Sequence, residues 1–200
     1  MNQNKMLVIS LSVVFIVIVG GIIAIYKFRE KKIEEVVFNY NGFQFRKVPT
    51  GYRVQIFVNK NENPSFFTVR SDPREAEQVP LNIDVGEIKK KEQVYVVIDP
   101  YENLTGLATM ATLELENVIE NQFLYNIPLN SAFTREFPRK NIGVKTCDDA
   151  NETVAIIWLR RGEETNIFKE KECIIIEAQQ ERDLIKAADR ITLTMLGILK

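Results

Sequence analysis

The chain has 200 residues, with 26 Lys and Arg against 27 Asp and Glu, a net charge of -1, and 46% hydrophobic residues. It contains no histidine, which removes the commonest general base, the commonest zinc ligand and every Ser–His or Cys–His catalytic pair. The balanced charge gives no basic patch of the kind that marks a nucleic-acid binder, so no nucleic-acid partner is expected, and neither is a cofactor or a metal.

Residues 6–26, MLVISLSVVFIVIVGGIIAIY, hold no charge between Lys5 and Lys27. As a helix rising about 1.5 Å per residue, this run spans roughly 30 Å, the thickness of a bilayer's hydrocarbon core. A cleaved signal peptide is the rival reading, but its apolar core is usually about 7–15 residues long. This run is longer and passes straight into IYKFREKK. The expectation is therefore an uncleaved single-pass anchor in the cell membrane: residues 1–32 as anchor and basic flank, residues 33–200 as one globular domain. No later apolar run exceeds the length of a strand. Lys27, Arg29, Lys31 and Lys32 follow the span, and the positive-inside bias points the domain to the cytoplasm. The cysteines, below, point the other way.

The chain then reads as strands. Phe38–Phe45 places Asn41-Gly42 between alternating aromatics, the signature of a two-residue hairpin turn with Phe43 and Phe45 on one face. Residues 52–59 (YRVQIFVN) and 65–70 (SFFTVR) alternate as further strands, with a turn at 61–64, so the domain opens as an antiparallel meander. Asp72-Pro73 starts a short helix, with Asp72 as N-cap and acids near the positive dipole end. Capping and solvation account for Asp72, Glu75 and Glu77 without a catalytic role. Residues 83–88 are expected to form a strand, closed by a solvated turn at Lys89-Lys90-Lys91.

Residues 94–98 (VYVVI) form a continuous apolar run, expected as a central strand covered on both faces. Asp99-Pro100 turns the chain. Residues 104–123 carry apolar side chains at 104, 107, 108, 111, 115, 118 and 119, a helical stripe. Strand, turn and helix make the first two-thirds of a βαβ unit. Residues 127–141 hold Pro128 and Pro138 and are expected to be irregular, with one helical turn at 131–136. Residues 154–160 (VAIIWLR) and 173–178 (CIIIEA) read as buried strands. A turn at 161–164 lies between them, with 165–169 as a hairpin partner. A closing helix over 181–196 puts Leu184, Ala188, Ile191 and Met195 on one face. Glu181 and Asp183 lie in its first turn, and Gly197 stops it. The fold class is α+β, or α/β: an N-terminal transmembrane helix, then one domain with antiparallel hairpin strands, a mixed sheet and two main packing helices.

Cys147 and Cys173 are the only cysteines. Each heads a strand-forming stretch, so the sulfurs can meet if those strands are neighbours. A bridge closing a loop of that length would contribute about 3 kcal/mol and requires an oxidising compartment. The alternative is two small buried free thiols. Asn103-Leu-Thr105 and Asn151-Glu-Thr153 fit the glycosylation acceptor pattern. Asp148, Asp149, Asn151 and Glu152 offer calcium-type oxygens, but not at EF-hand spacing, and read as a solvated loop.

Cys173-Ile-Ile-Ile-Glu177, the stretch from Asp183 to Arg190, Leu196-Gly-Ile198, Tyr40-Asn-Gly-Phe43 and Asp99-Pro-Tyr-Glu102 together resemble small membrane-anchored archaeal proteins from reduced-genome lineages. That resemblance implies an N-terminal anchor joined to a two-cysteine extracytoplasmic domain. It implies no particular activity. Where those proteins tend to carry glycine, this chain has Ala178.

Three functions fit these readings. The first is a non-enzymatic envelope module, held in the lipid bilayer and binding another envelope protein, a surface polymer or a second copy of itself. The aromatic strands between Phe38 and Phe67 are a candidate contact surface for it. The second is a carboxylate-dependent hydrolase acting on surface glycans. Asp99 and Glu102 are its candidate ligand site, because they follow a buried strand and precede a helix, where α/β folds place ligands. The third is a pilin-like subunit, which would normally carry a Glu near the start of its apolar run; this run has none. The domain is expected outside the membrane, as a binding or assembly module without catalytic residues.

Overall fold

The computed structural model describes residues 17–21, 36–58, 64–138 and 142–200. It divides the chain into two units, Met1–Glu35 and Val36–Lys200. The expected span at 6–26 lies almost wholly outside the described residues. Within it, residues 17–21 are helical and exposed. No helix among the described residues is long and apolar enough to cross a membrane.

The second unit opens with a four-stranded antiparallel meander: β1 (Val37–Tyr40), β2 (Phe43–Val48), β3 (Gly51–Ile56) and β4 (Ser65–Val69), neighbours in that order. The β1–β2 turn is Asn41 (φ 49°) and Gly42 (φ 84°), the two left-handed residues that a twisted two-residue hairpin needs. Gly51 sits at φ 142°, and a Cβ there would lie 2.1 Å from the Val69 carbonyl oxygen. Only glycine lets β3 begin that close to β4. Phe45, Val54, Phe67 and Val69 alternate onto the inner face and are buried.

A second sheet has six strands in the order β5-β9-β10-β8-β6-β7. They are β5 (Leu81–Asn82), β6 (Gln93–Ile98), β7 (Leu129–Phe133), β8 (Val154–Arg161), β9 (Asn166–Glu170) and β10 (Cys173–Ala178). Strands β10, β8, β6 and β7 run parallel, and β9 is antiparallel to β10. Among the described residues of this unit three helices accompany the sheets: α1 (Pro73–Ala76), α2 (Gly106–Ile119) and α3 (Glu181–Met195). The class is α+β with a mixed sheet, and β6–α2–β7 completes the expected βαβ unit. Helix α1 starts as expected, with the Asp72 side chain accepting from the Arg74 N–H at 3.0 Å.

Four expectations change. Residues 83–88 are not a strand. Asp84 accepts from the Gly86 N–H at 2.8 Å and turns the chain, and a 3-10 turn follows at Ile88–Lys90. The three lysines there are not a purely solvated turn. Lys89 donates to the Met195 carbonyl at 2.9 Å, and Lys91 reaches Asn151 and Glu152 carbonyls. Residues 131–136 are not helical, since Leu129–Phe133 is an edge strand. Its sequence LNSAF has weak strand propensity, and pairing with β6 decides the outcome. Finally, β9 pairs with β10 through a two-residue turn at Lys171-Glu172, not with β8.

Helix α3 is buried on nearly every side. The core around it joins Phe45, Val54 and Phe67 of the first sheet to Ala111 and Leu115 of α2 and to Val96, Ile157 and Ile176 of the second. At its centre lies Asp189, fully buried. The Ser71 N–H donates to Asp189 Oδ2 at 2.7 Å, and Arg70 Nε donates to Glu114 Oε1 on α2 at 2.7 Å. Burial, then the neighbouring Glu114 carboxylate, pushes Asp189 up to about 8. Asp189 Oδ1 has no ordinary donor. Two carboxyls in one buried site are stable only if one keeps its proton, so protonated Asp189 donates to Glu114, whose charge Arg70 balances.

An unfolded aspartate titrates near 3.8, so folding takes up a proton over the interval from that value to about 8. The resulting stability is complete below the lower value and falls as pH rises through the window, by up to about 1.4 kcal/mol per pH unit. Urea melts should show the midpoint falling from pH 5 to pH 8 in the native sequence. Asp189→Asn should flatten that slope and be the more stable form at pH 8. Equal slopes would contradict this account.

Candidate ligand cleft

The four parallel strands end at one edge of the mixed sheet, where α2 and α3 begin. Such an edge collects side chains from several loops and is the usual ligand position in sheets of this kind. Asp99, one residue past β6, is only 8% exposed. Its Oδ1 accepts the Tyr101 N–H at 3.0 Å, and its Oδ2 is ion-paired with Arg135 from the loop after β7. Glu102 lies near it and accepts the Arg161 N–H at 3.4 Å. Burial raises the Glu102 carboxyl above its ordinary value, and the Asp99 charge adds to the rise; the Arg161 N–H opposes it. The two expected site residues therefore do meet at this edge, but Asp99 is committed to a cation.

Glu181 was read only as a helix-dipole residue. It also caps the neighbouring helix. Its Oε1 accepts the Thr105 N–H at 2.5 Å, the Thr105 hydroxyl at 3.0 Å and the Ala108 N–H at 3.2 Å. It thus satisfies donors that the first turn of α2 would leave open. Arg161 stands 3.6 Å from Glu181 Oε2.

The mixed sheet has two unlike faces. Val94, Val96, Ile157, Leu159, Ile174 and Ile176 turn toward the helices. Val97, Ile156, Cys173 and Ile175 turn away into a small second core with Trp158 and Phe168 at its border. This outer face is covered by the loop between β7 and β8. Cys147 on a 3-10 turn, Cys147–Asp149, is bridged to Cys173 on β10. The turn is braced by Asp149, which accepts the Thr146 N–H at 2.8 Å and pairs with Lys145 at 3.1 Å. The Thr146 N–H, with help from Lys145, holds the Asp149 carboxyl below the usual carboxylate range.

Between this loop and the outer face of the sheet opens a cavity of about 480 Å³. Val97 and Trp158 contribute its sheet side, Cys147 its loop side, and Arg135 and Lys171 are charged residues of its lining. Lys171 adopts φ 55° in the β9–β10 turn and stands 3.4 Å from Asp148. Arg160 lies over the Trp158 and Phe168 rings, 5.1 and 5.6 Å from their centroids. It also binds Glu177 at 2.8 Å and Glu170 at 3.1 Å. Thr134 and Trp158 both line the cavity, and among the described residues the Trp158 indole N–H and the Thr134 hydroxyl are buried with no hydrogen-bond partner. An unmet buried donor costs about 1–3 kcal/mol, and such costs gather at functional sites.

The possible calcium oxygens do not converge. Asp149 caps its own turn, and Asn151 Oδ1 accepts the Thr153 and Val154 N–H groups at 2.9 and 3.0 Å. Among the described residues no group of three or more His, Cys, Asp and Glu is placed to hold a metal. Asp72, Glu75 and Glu77 also stay apart from the cleft: Asp72 pairs with Arg74, and Glu77 accepts from the Tyr40 hydroxyl. Trp158, Arg160 and Arg135 were not singled out in the sequence. Alternation in VAIIWLRR did place Trp158 and Arg160 on one face, opposite Ile157 and Leu159. Comparison with known proteins finds no matching family model, no matching curated protein and no matching solved structure.

The bridge joins residues 26 apart in sequence, so removing it should cost about 3 kcal/mol by loop entropy. Cys147→Ser with Cys173→Ala should lower the melting temperature by roughly 6–12 °C. Trp158 emission should shift red as the loop lifts from the sheet. An unchanged Tm with unchanged emission would show that the loop is held by other contacts.

Proposed function

We propose that this chain is a single-pass membrane-anchored envelope module whose domain lies outside the membrane and binds a protein segment or surface polymer in the cleft beside Cys147–Cys173. The observation that carries this reading is the pairing of charges around the cavity. Asp99 is held by Arg135, Asp148 by Lys171, and Glu170 and Glu177 by Arg160. A nucleophile or general base needs a free, poised group within reach of its substrate. Paired charges around an aromatic floor instead favour recognition, in which a ligand exchanges with existing partners. The apolar run at 6–26 supports the anchor, and the bridge supports an oxidising side of the membrane.

One observation favours the hydrolase reading: the raised Glu102 carboxyl beside Asp99, since a general acid must hold its proton near neutrality.

A photo-crosslinking side chain at Lys171 in native membranes tests both readings. The binding account expects adducts from position 171 and none from Leu113, an exposed position on the helical side. It also expects Arg135→Ala to weaken the adduct and Glu102→Gln to leave it unchanged. A glycan-cleaving activity of the full chain that Glu102→Gln abolishes would overturn the binding account and establish the hydrolase. Absence of adducts at 171 would remove the cleft as the binding site.

A further inference from the structure

The chain carries two Asn-x-Thr acceptor triplets, Asn103-Leu104-Thr105 and Asn151-Glu152-Thr153. The fold treats them differently. The first lies at the edge where the parallel strands end, and the second lies just before β8, at the edge where they begin. Asn103 sits at φ 53°, and Leu104 packs against the main core. Thr105 is the N-cap of α2, and its N–H and hydroxyl both donate to Glu181 Oε1, at 2.5 and 3.0 Å. An enzyme that reads this hydroxyl must first break the cap that ties α2 to the start of α3.

Asn151, Glu152 and Thr153 are all exposed. Asn151 Oδ1 accepts the Thr153 N–H, the Thr153 hydroxyl and the Val154 N–H at 2.9, 3.0 and 3.0 Å. Lys91 holds this turn by its backbone alone, through the Asn151 and Glu152 carbonyls. The amide nitrogen Nδ2 makes one long contact, 3.3 Å to the Asp149 carbonyl. A turn of this kind needs the Asn side chain and backbone N–H groups. It does not need a hydroxyl at position 153, whereas the acceptor pattern does.

Beside the turn opens a hollow of about 460 Å³, lined by Asn151 and Glu152, by Lys90 and Lys91, and by Lys169 and Glu172 at the β9–β10 turn. Ammonium groups donate and carboxylates accept, and sugar hydroxyls do both. A glycan leaving Asn151 therefore meets a surface able to hydrogen-bond it, and it displaces no apolar contact.

We propose that Asn151 of the folded domain is N-glycosylated and that Asn103 is passed over. This rests on the domain lying outside the membrane, where a membrane oligosaccharyltransferase supplies a glycan from a polyprenol-phosphate carrier. In the transfer, Asn151 Nδ2 bonds to the anomeric carbon of the first sugar. The bond from that carbon to the phosphate oxygen breaks, the lipid phosphate leaves with the electron pair, and Nδ2 gives up one proton. The glycan stands at the edge opposite Asp99 and Glu102 and leaves their edge open.

The test takes the full chain from cells that glycosylate a secreted reporter, reduces and alkylates it, and reads its tryptic peptides by mass spectrometry. The proposal expects sugar mass on Asn151 in the peptide 146–160, and an unmodified Asn103 in the peptide 92–135. Thr153→Val should reduce the modification to background without changing Tm, and Thr153→Ser should keep it. A second chain with Glu163→Asn gains an acceptor triplet ending at Thr165, in the exposed turn after β8, and reports which side of the membrane the domain occupies. An unmodified Asn151 overturns the proposal. If Glu163→Asn is then glycosylated, the outward placement stands without the site; if it too stays bare beside a modified reporter, the outward placement falls as well. Asn103 modified as fully as Asn151, or a glycan on Asn151 that survives Thr153→Val, also overturns the proposal.

Discussion

A sheet of parallel strands must be covered on both faces, because its strands are apolar on both. Here both long helices pack on the same face. A right-handed crossover sets the side that α2 takes, and α3, which leads to no further strand, packs beside it there. Chain moving from β6 to β7 carries α2 over one side of the sheet. Chain returning from β7, past β6, to β8 travels the opposite way and must cross the other side. Among the described residues that second crossover contains no long helix, and its one helical piece is a 3-10 turn. The Cys147–Cys173 bridge fastens this loop to β10. The disulfide therefore stands where a helix would otherwise supply burial. Because a loop covers less than a helix, a cavity remains between it and the outer face of the sheet. Cleft and bridge follow from one topological fact.

The other long-range constraint is α3. It touches both sheets and α2, and it can be surrounded only because its polar residues are accounted for. Asp189 keeps a proton and shares it with Glu114, while Arg70 and the Ser71 N–H reach in from the end of β4. This cluster fastens the antiparallel sheet to the helical layer with groups that have no apolar substitute in place. The same helix begins with Glu181, which caps α2. One helix thus orders the core at its centre and the sheet edge at its start.

Much of this fold was legible in the sequence, for local reasons. Asn41-Gly42 specifies its hairpin through backbone conformation alone. VYVVI, VAIIWLR and CIIIEA announce buried strands by continuous apolarity, and their adjacency brings the cysteines together. What stayed hidden depends on partners. LNSAF carries no strand signal of its own and becomes β7 because β6 offers a ladder. The segment from Ile83 to Ile88 has strand-like residues, but the Asp84 side chain closes a turn instead. β9 looked like the return of β8, yet the left-handed conformation of Lys171 sends it against β10. Asp99 and Glu102 were placed at the right edge by rule, while their neighbour Arg135 lay in a stretch read as irregular. Asp189 looked like an ordinary helical aspartate, since burial of a helix on all sides is not written in its own seven-residue pattern.

The central claim is that a disulfide-fastened cleft faces outward from a membrane to which the chain is anchored. The most direct measurement treats intact cells making the full chain with a membrane-impermeant maleimide, before and after an impermeant reductant, and reads Cys147 and Cys173 by mass spectrometry. The account predicts no labelling before reduction and labelling after it, without lysis. Free thiols in untreated cells, or cysteines that react only once the membrane is broken, would contradict it.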